Sequence, residues 1–278
     1  MIDTKLKGKV VLITGANNPF GIGAATARAF GHEGALVFIT YLRLAPEKFG
    51  MSKARVQRAS LPGLPYYHAL RTRTAEDVAQ SIRSTGGRVE AREADLSDPE
   101  MVPQLFDWVE SSLGPVDILV NNAAHYEEPD TIFSVSARSL GETFSVNTNA
   151  SVLLISELVR RQQKRNCRWG RIINLSTDAA QAFSDQIAYG ASKAAMEAFT
   201  RSLAIEVGHL GITVNAVAPG PVQTGYISRA FEKKLIPEIP LRRIGKPEEI
   251  ADVIVFLASE QARWLTGQVV KVSGGHAL

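Results

Sequence analysis

Tyr189 and Lys193 stand four residues apart in the stretch Ala188-Tyr-Gly-Ala-Ser-Lys-Ala-Ala, a spacing that puts both side chains on one face of a helix. A free phenol has a pKa of about 10, and an ammonium beside it favours the phenolate. Such a pair could trade a proton with a bound oxygen at working pH. Ser176 and Thr177, which follow the apolar run Arg171–Leu175, offer hydroxyls that could hold the same oxygen. A second group could hold an anion. Val10–Thr14 runs into Gly15, and Gly21-Ile22-Gly23 opens a helical pattern. Glycine lets the backbone turn sharply and lets a phosphate come close, and the free N–H groups of a helix N-terminus favour a pyrophosphate. A tyrosine–lysine pair on a helix surface, or a glycine turn after a strand, is ordinary by itself. The company these residues keep decides the matter.

The elements that must position them read as an alternation. Strands are expected at Val10–Thr14, Ala35–Tyr41, Val89–Ala94, Val116–Asn121, Arg171–Ser176, Thr213–Ala218 and Gln268–Val272. Helices are expected over Gly21–Glu33, Pro99–Leu113, Ser136–Arg165 (with a break), Ser184–Val207 and Pro247–Ala258. Most of these strands are continuous apolar runs, the pattern of strands buried on both faces of a parallel sheet. Regular strand–helix alternation implies an α/β fold, doubly wound, with about seven parallel strands flanked by helices. The 278 residues suffice for a single large domain. One stretch breaks the rhythm: from Leu44 to Arg73 the chain carries six basic residues (Lys48, Lys53, Arg55, Arg58, Arg71 and Arg73) against Glu47, with several prolines and glycines. Its length suggests either a solvated surface insertion or a cover over a ligand.

Bulk properties exclude several classes. Hydrophobic residues at 45% and charged residues at 21% describe a globular protein rather than a disordered one. The net charge of +3 is spread among acids, so nothing calls for a nucleic-acid partner. A lone cysteine, Cys167, rules out an intrachain disulfide framework and fits a reducing, cytoplasmic setting. No apolar run has the length of a signal-peptide core or a membrane span, so neither export nor a membrane anchor is expected. His32, His68, His125, His209 and His276 lack metal-ligand spacing, and no metal is expected.

The motifs occur in a telling order: Thr14-Gly15 with Gly21-Ile22-Gly23, Asp95-Leu96, Asn121-Asn122-Ala123-Ala124, Asn147, Tyr189-x-x-x-Lys193, and Pro219-Gly220-x-x-x-Thr224. With them the sequence resembles the short-chain dehydrogenase/reductases over nearly its whole length, including Ile239–Ile250 and Leu265–Gln268. It is similar to the branch containing 3-oxoacyl-carrier-protein reductases. The resemblance implies a Rossmann fold and hydride transfer between a nicotinamide cofactor and a carbonyl or alcohol carbon, with Tyr189 as acid/base. It implies that Lys193 binds the nicotinamide ribose and that Asn147 holds a water in a relay to Lys193. It assigns Asp95 to the adenine amino group, Val222 and Thr224 to the carboxamide and pyrophosphate, and Asn122, Ala123, Ala124, Pro219 and Gly220 to the cofactor's path. Counting from the strand, the family's catalytic serine position falls on Thr177; counting back from Tyr189, it falls on Ser176, and both remain open. The resemblance also implies a homotetramer built on the Tyr189 helix, the Asn147 helix and the last strand, and a substrate lid over 225–239.

Three departures qualify the likeness. Five residues separate Gly15 from Gly21 where the family has three, so Asn17 and Asn18 are expected to supply phosphate contacts. Ala124 replaces the family's glycine, and the insertion after Leu44 is extra. The second strand ends Thr40-Tyr41-Leu42-Arg43, with no acid to hold a ribose 2′-hydroxyl. Arg43 could pair a 2′-phosphate bidentately, so NADP(H) is favoured over NAD(H). Two rival readings are an enoyl (C=C) reductase on the same fold and a non-catalytic nicotinamide sensor. Enoyl reductases space the tyrosine and lysine by seven, but position 196 is Met; sensors tend to lose one of the pair, and both are kept here.

Overall fold

The computed structural model describes residues 3–181 and 184–277. Seven strands form one parallel sheet: β1 (Val10–Thr14), β2 (Leu36–Tyr41), β3 (Arg88–Glu93), β4 (Ile118–Asn121), β5 (Gly170–Leu175), β6 (Ile212–Pro219) and β7 (Val269–Val272). Their spatial order is β3-β2-β1-β4-β5-β6-β7. The chain winds outward in one direction from β1 and then in the other from β4. The crevice outside the carboxyl ends of β1 and β4 is where such sheets bind ligands.

The helices are α1 (Ile22–His32), α2 (Lys53–Arg58), α3 (Leu64–Arg71), α4 (Glu76–Arg83), α5 (Met101–Ser112), α6 (Ala137–Phe144), α7 (Ala150–Lys164), α8 (Ile187–Val207), α9 (Arg229–Leu235) and α10 (Pro247–Ala258). Alternate residues of each central strand face opposite cores. Val11 and Ile13 pack with Phe30, Ile82 and Ile254 beneath α1, α4 and α10. Val10 and Leu12 pack with Phe106, Leu158 and Val207 beneath α5, α7 and α8. β3 is one of the two edge strands, and its burial alternates instead of running unbroken.

The expected break in the long middle helix is a π-helical turn at Ser145–Asn149 between α6 and α7. The insertion after Leu44 folds into a 3₁₀ turn (Pro46–Phe49), α2 and α3. It docks on two neighbours. Asn17 of the glycine loop donates its amide to the carbonyls of Arg71 and Arg73, at 3.4 and 2.9 Å. The Gly63 N–H donates to the Gly225 carbonyl at 2.8 Å, tying the insertion to the start of the lid. Phe20 packs against Tyr66, and Tyr67 meets Tyr226 edge-on with centroids 5.7 Å apart. Among the described residues no helix is long and apolar enough to cross a membrane.

Candidate active site

A cleft of about 1260 Å³ opens at the carboxyl ends of β1, β2, β4, β5 and β6. Gly15, Thr40, Asp95 and Leu96 line one end; Thr177, Tyr189, Lys193 and Thr224 line the other. At its centre lies the N-terminus of α1, whose N-cap Gly21 offers no side-chain cap and whose first turn holds no acid. The leading N–H groups are left for an anion. Gly15 takes a φ of +71°, and a Cβ there would lie 2.7 Å from the Ala123 Cα, so only glycine lets the two loops meet. Thr40, near the end of β2, lines the cleft, and its buried hydroxyl has no partner among the described residues, a valence that needs an explanation. An extended dinucleotide fits these features: room for its length, donors for its pyrophosphate, and a free hydroxyl where the adenosine ribose would lie.

The proton-handling end is built on α8. Its N-cap residue Gln186 makes no side-chain cap bond. Asp130, far away in sequence, supplies the cap instead: its two oxygens accept from the backbone N–H groups of Ala188 and Tyr189 at 2.9 and 3.0 Å. Sequence reasoning missed Asp130, because a cap from a distant loop leaves no local signature. The Lys193 side chain is 2% exposed; its Nζ lies 5.9 Å from the Tyr189 ring centroid and donates to the Leu175 carbonyl at 2.7 Å. Burial pulls the Lys193 ammonium down to about 8. The Tyr189 phenol is pushed up, first by burial and then by Tyr67 and Asp178. The expected lowering of the phenol by Lys193 is therefore not a property of the protein alone: desolvation of the phenolate outweighs it. Tyr126 braces the Tyr189 ring edge-on at 5.5 Å.

Asn147 sits in the π turn and does not line the cleft. Its amide oxygen accepts from the His125 N–H at 2.6 Å, and its nitrogen donates to the His125 carbonyl and to the Ser192 hydroxyl at 3.0 and 2.9 Å. Ser192 in turn donates to the Tyr189 carbonyl at 2.7 Å. The side chain thus clamps the loop after β4 to the helix of Tyr189, and π turns are frequent at functional sites. The two candidate hydroxyls part company. Both residues line the cleft, but Ser176 is buried and donates to Glu197 at 2.6 Å. Thr177 is half-exposed to the cleft, and its hydroxyl donates to Asp178 at 3.3 Å.

Several residues expected at the cofactor have protein partners. Arg43 does not line the cleft. Its guanidinium is paired with Glu93 at the end of β3, with Nε 2.8 Å from the carboxylate, because β2 and β3 pair Tyr41 with Glu93. Lys48 and Arg71, from the insertion, line the cleft instead. Asn17 and Asn18 of the wider glycine loop line the cleft, and each also holds a neighbour: the Asn17 amide binds the insertion, and Asn18 donates to the Thr224 carbonyl at 2.9 Å. Thr14 is buried, and its hydroxyl accepts from the N–H groups of Asn122 and Ala123 at 3.0 and 2.9 Å. The Asn122 amide donates to the carbonyls of Thr14 and Gly15. Thr14 and Asn122 therefore brace the β1 and β4 loops. Gly21, Ile22, Gly23, Ala123, Ala124, Pro219, Gly220 and Val222 all line the cleft as expected. Asp95 does too, with one oxygen accepting from Ser97. His125, Glu127 and Glu142, at the cleft wall, place potential metal-ligand atoms within 4.8 Å of one another. The Arg138 guanidinium bridges both carboxylates, at 2.7 and 3.0 Å.

Comparison with known proteins agrees with this geometry. A family model described as Enoyl-(Acyl carrier protein) reductase matches residues 50–277. The chain is 36% identical to the oxidoreductase YjdA of Bacillus subtilis (strain 168), over 96% of each chain. It is 35% identical to the 3-oxoacyl-[acyl-carrier-protein] reductase FabG of Pseudomonas aeruginosa, over 97% of this chain and 98% of that one. Among solved structures, a short-chain dehydrogenase/reductase from Serratia marcescens superposes with a TM-score of 0.80 at 30% identity, covering 98% of this chain and 99% of that one. A blue fluorescent protein from a metagenomic library, solved in complex with NADPH, superposes with a TM-score of 0.79 at 30% identity and the same coverage. The chain belongs to the short-chain dehydrogenase/reductase family, in its FabG-like branch. It is an oxidoreductase of a family that binds a nicotinamide cofactor.

Proposed function

We propose that the protein interconverts a carbonyl and an alcohol with NADP(H), and that Tyr189 exchanges the proton. The observation that carries this reading is the placement of Tyr189 and Lys193 one helical turn apart, both lining the cleft that begins at the glycine loop. The bound nicotinamide supplies the hydride. The chain's own residues do the rest. Thr177, the hydroxyl exposed to the cleft, holds the substrate oxygen; Ser176 is spent on Glu197. Tyr189 gives its proton to the alkoxide in reduction and takes it back in oxidation. Lys193 holds the ribose hydroxyls from its buried seat and, as an ammonium, favours the phenolate. Asn147 fixes the β4 loop against α8 so that Tyr189 keeps its place.

Preference for NADP(H) rests on Thr40, where an acid would repel a 2′-phosphate, and on the two cations lining the cleft, Lys48 and Arg71. Arg43, neutralised by Glu93, has a lesser part. The neighbour solved with NADPH is consistent with this choice. Leu153 on α7 and Phe199 and Ile205 on α8 are apolar and exposed, which supports a homotetramer through these helices; light scattering would measure it.

The direct test is NADPH oxidation against a panel of aldehydes, ketones, a 3-oxobutanoyl thioester and an enoyl thioester, with Tyr189→Phe as control. Carbonyl turnover that falls about a thousandfold in the control is expected. Turnover of the enoyl thioester alone would support the C=C reading that the family model's description raises. Tight NADPH binding with no turnover would support a sensor.

A further inference from the structure

Beside Thr177 the cleft wall holds a second pair of ionisable groups that the proposed reaction does not use. Asp178 opens the 3₁₀ turn Asp178–Ala180 after β5 and is 7% exposed. One of its oxygens accepts from the Thr177 hydroxyl at 3.3 Å. The other lies 2.6 Å from Nδ1 of His276, which is itself 8% exposed in the tail beyond β7. The second ring nitrogen of His276 is 3.8 Å from Glu238, at the end of the lid. All but Glu238 line the same cleft as Tyr189. The turn and α8 are pressed together: a Cβ on Gly190 would lie 2.8 Å from the Ala179 carbonyl, so glycine at the residue after Tyr189 is what permits the approach.

A carboxylate in this place poses a physical problem. An unpaired negative charge in a site shielded from water opposes ionisation of a neighbouring phenol, and it competes with the substrate for the Thr177 proton. We propose that His276 is a positioning residue that acts through Asp178: by binding the carboxylate it compensates that charge at Tyr189 and leaves the Thr177 hydroxyl available to the substrate oxygen. Among the described residues, Tyr67 from α3, Tyr126 from the β4 loop and Lys193 from α8 lie about Tyr189, and Glu238 from the lid lies beside His276. Of these groups Lys193 is the cation, and it is occupied by the Leu175 carbonyl. The tail therefore completes the electrostatics of the site. The inference rests on the role given to Tyr189 above, and the Asp178 charge helps to raise that phenol.

The test is the pH dependence of NADP⁺-linked oxidation of a 3-hydroxybutanoyl thioester between about pH 6 and about 10. It is paired with the Tyr189 Cζ chemical shift of carbon-13 tyrosine-labelled protein saturated with NADP⁺. His276→Ala is expected to lose about tenfold in kcat/KM near neutrality, the loss shrinking as pH rises, and to move the Tyr189 titration to higher pH. Asp178→Asn should move it to lower pH, and the double variant should follow Asp178→Asn. A His276→Ala loss of the same size at every pH, or a Tyr189 titration unmoved in both single variants, overturns the proposal as a merely structural effect. If His276→Ala does not fold, Asp178→Asn decides by the same shift. Full turnover in Tyr189→Phe would instead sink the catalytic reading beneath it, and the two failures are distinct.

Discussion

The cleft has a floor and a roof built on different principles. The floor, from β4 to α8, is a buried polar lattice. Asn121 donates to Asn174, which donates to Thr200; Asn147 binds the His125 backbone and Ser192; Asp130 caps α8. Each of these named side chains except His125 is under 9% exposed. The roof, from Pro46 to Arg71, consists of short helices whose buried residues are only Met51, Gly63, Ala69 and Leu70. It is tied down by a few backbone bonds and aromatic edges. Apart from the Asn121 amide oxygen, which has no partner among the described residues, these groups are paired, and a buried polar network is costly to open, whereas a segment with few buried apolar contacts opens cheaply. The geometry that proton transfer needs is thus fixed in the floor, and access for cofactor and substrate falls to the roof.

The sharpest way to break this contrast is to attack the floor at Lys193, the buried cation that lines the cleft. Lys193→Met should lower kcat/KM by about 100-fold or more and yet raise the melting temperature at pH 7. Burial holds the folded-state pKa at about 8 against 10.5 for the ordinary side chain. At pH 7 both states carry the proton, and the folded state bears the desolvation cost. As pH rises through 8 the folded protein sheds the proton first and the cost is relieved. The stability advantage of the variant should therefore shrink between pH 8 and 10.5; an advantage constant across that range would show that packing, not charge, is responsible.

Asn147→Ala tests the lattice without touching the reacting atoms. Three hydrogen bonds are lost and the His125 backbone groups are left unpaired in a buried place. The expected cost is about 1–3 kcal/mol of stability and roughly tenfold in kcat, with KM for the cofactor little changed. Unchanged thermal stability would mean that the π turn does not depend on this side chain.

What the sequence disclosed follows the same division. Strands β1, β4, β5 and β6 were legible as apolar runs because both faces are buried, and α10 was legible from its Pro247 start. Tyr189, Lys193 and the glycine loop could be read because their chemistry fixes type and spacing. The edge helix α4 went unread although Val78, Ala79 and Ile82 give it a buried face, because it follows the irregular insertion without a strong start signal. Arg43 was misplaced for a tertiary reason: its partner Glu93 is 50 residues away, brought alongside by strand pairing. Asn17 and Asn18 line the cleft as their place in the glycine loop implies, but their bonds to the insertion and to Thr224 could not be read from loop length. Short-range pattern reports secondary structure and reactive spacing; it does not report which long-range partner claims a polar side chain.

Among roof residues, Arg71 should matter most. Its guanidinium stacks over Phe49 and Tyr67, 5.4 and 5.5 Å from their ring centroids, and it lines the cleft. Arg71→Ala should raise the NADPH dissociation constant about tenfold, raise that of NADH less, and leave kcat at saturation nearly unchanged. A matching fall in kcat would mean that the roof also shapes the proton-transfer geometry.

The smallest effect expected is a pH dependence of the roof itself. His68 stacks face to face on Phe49 with centroids 3.9 Å apart, and burial, with Arg71 nearby, lowers its pKa from 6.5 to about 4. An imidazole that binds its proton less well when docked favours docking fully above pH 6.5 and loses that contribution as pH falls towards 4. Hydrogen exchange corrected for intrinsic rates should therefore show residues 46–71 a few-fold less protected at about pH 5 than at about pH 7.5, while the floor stays unchanged. His68→Phe keeps the stack and removes the titration, so its protection should be the same at both pH values. Equal protection in the wild-type protein would mean that the insertion is held as firmly as the floor, and the distinction between the two regions would fall.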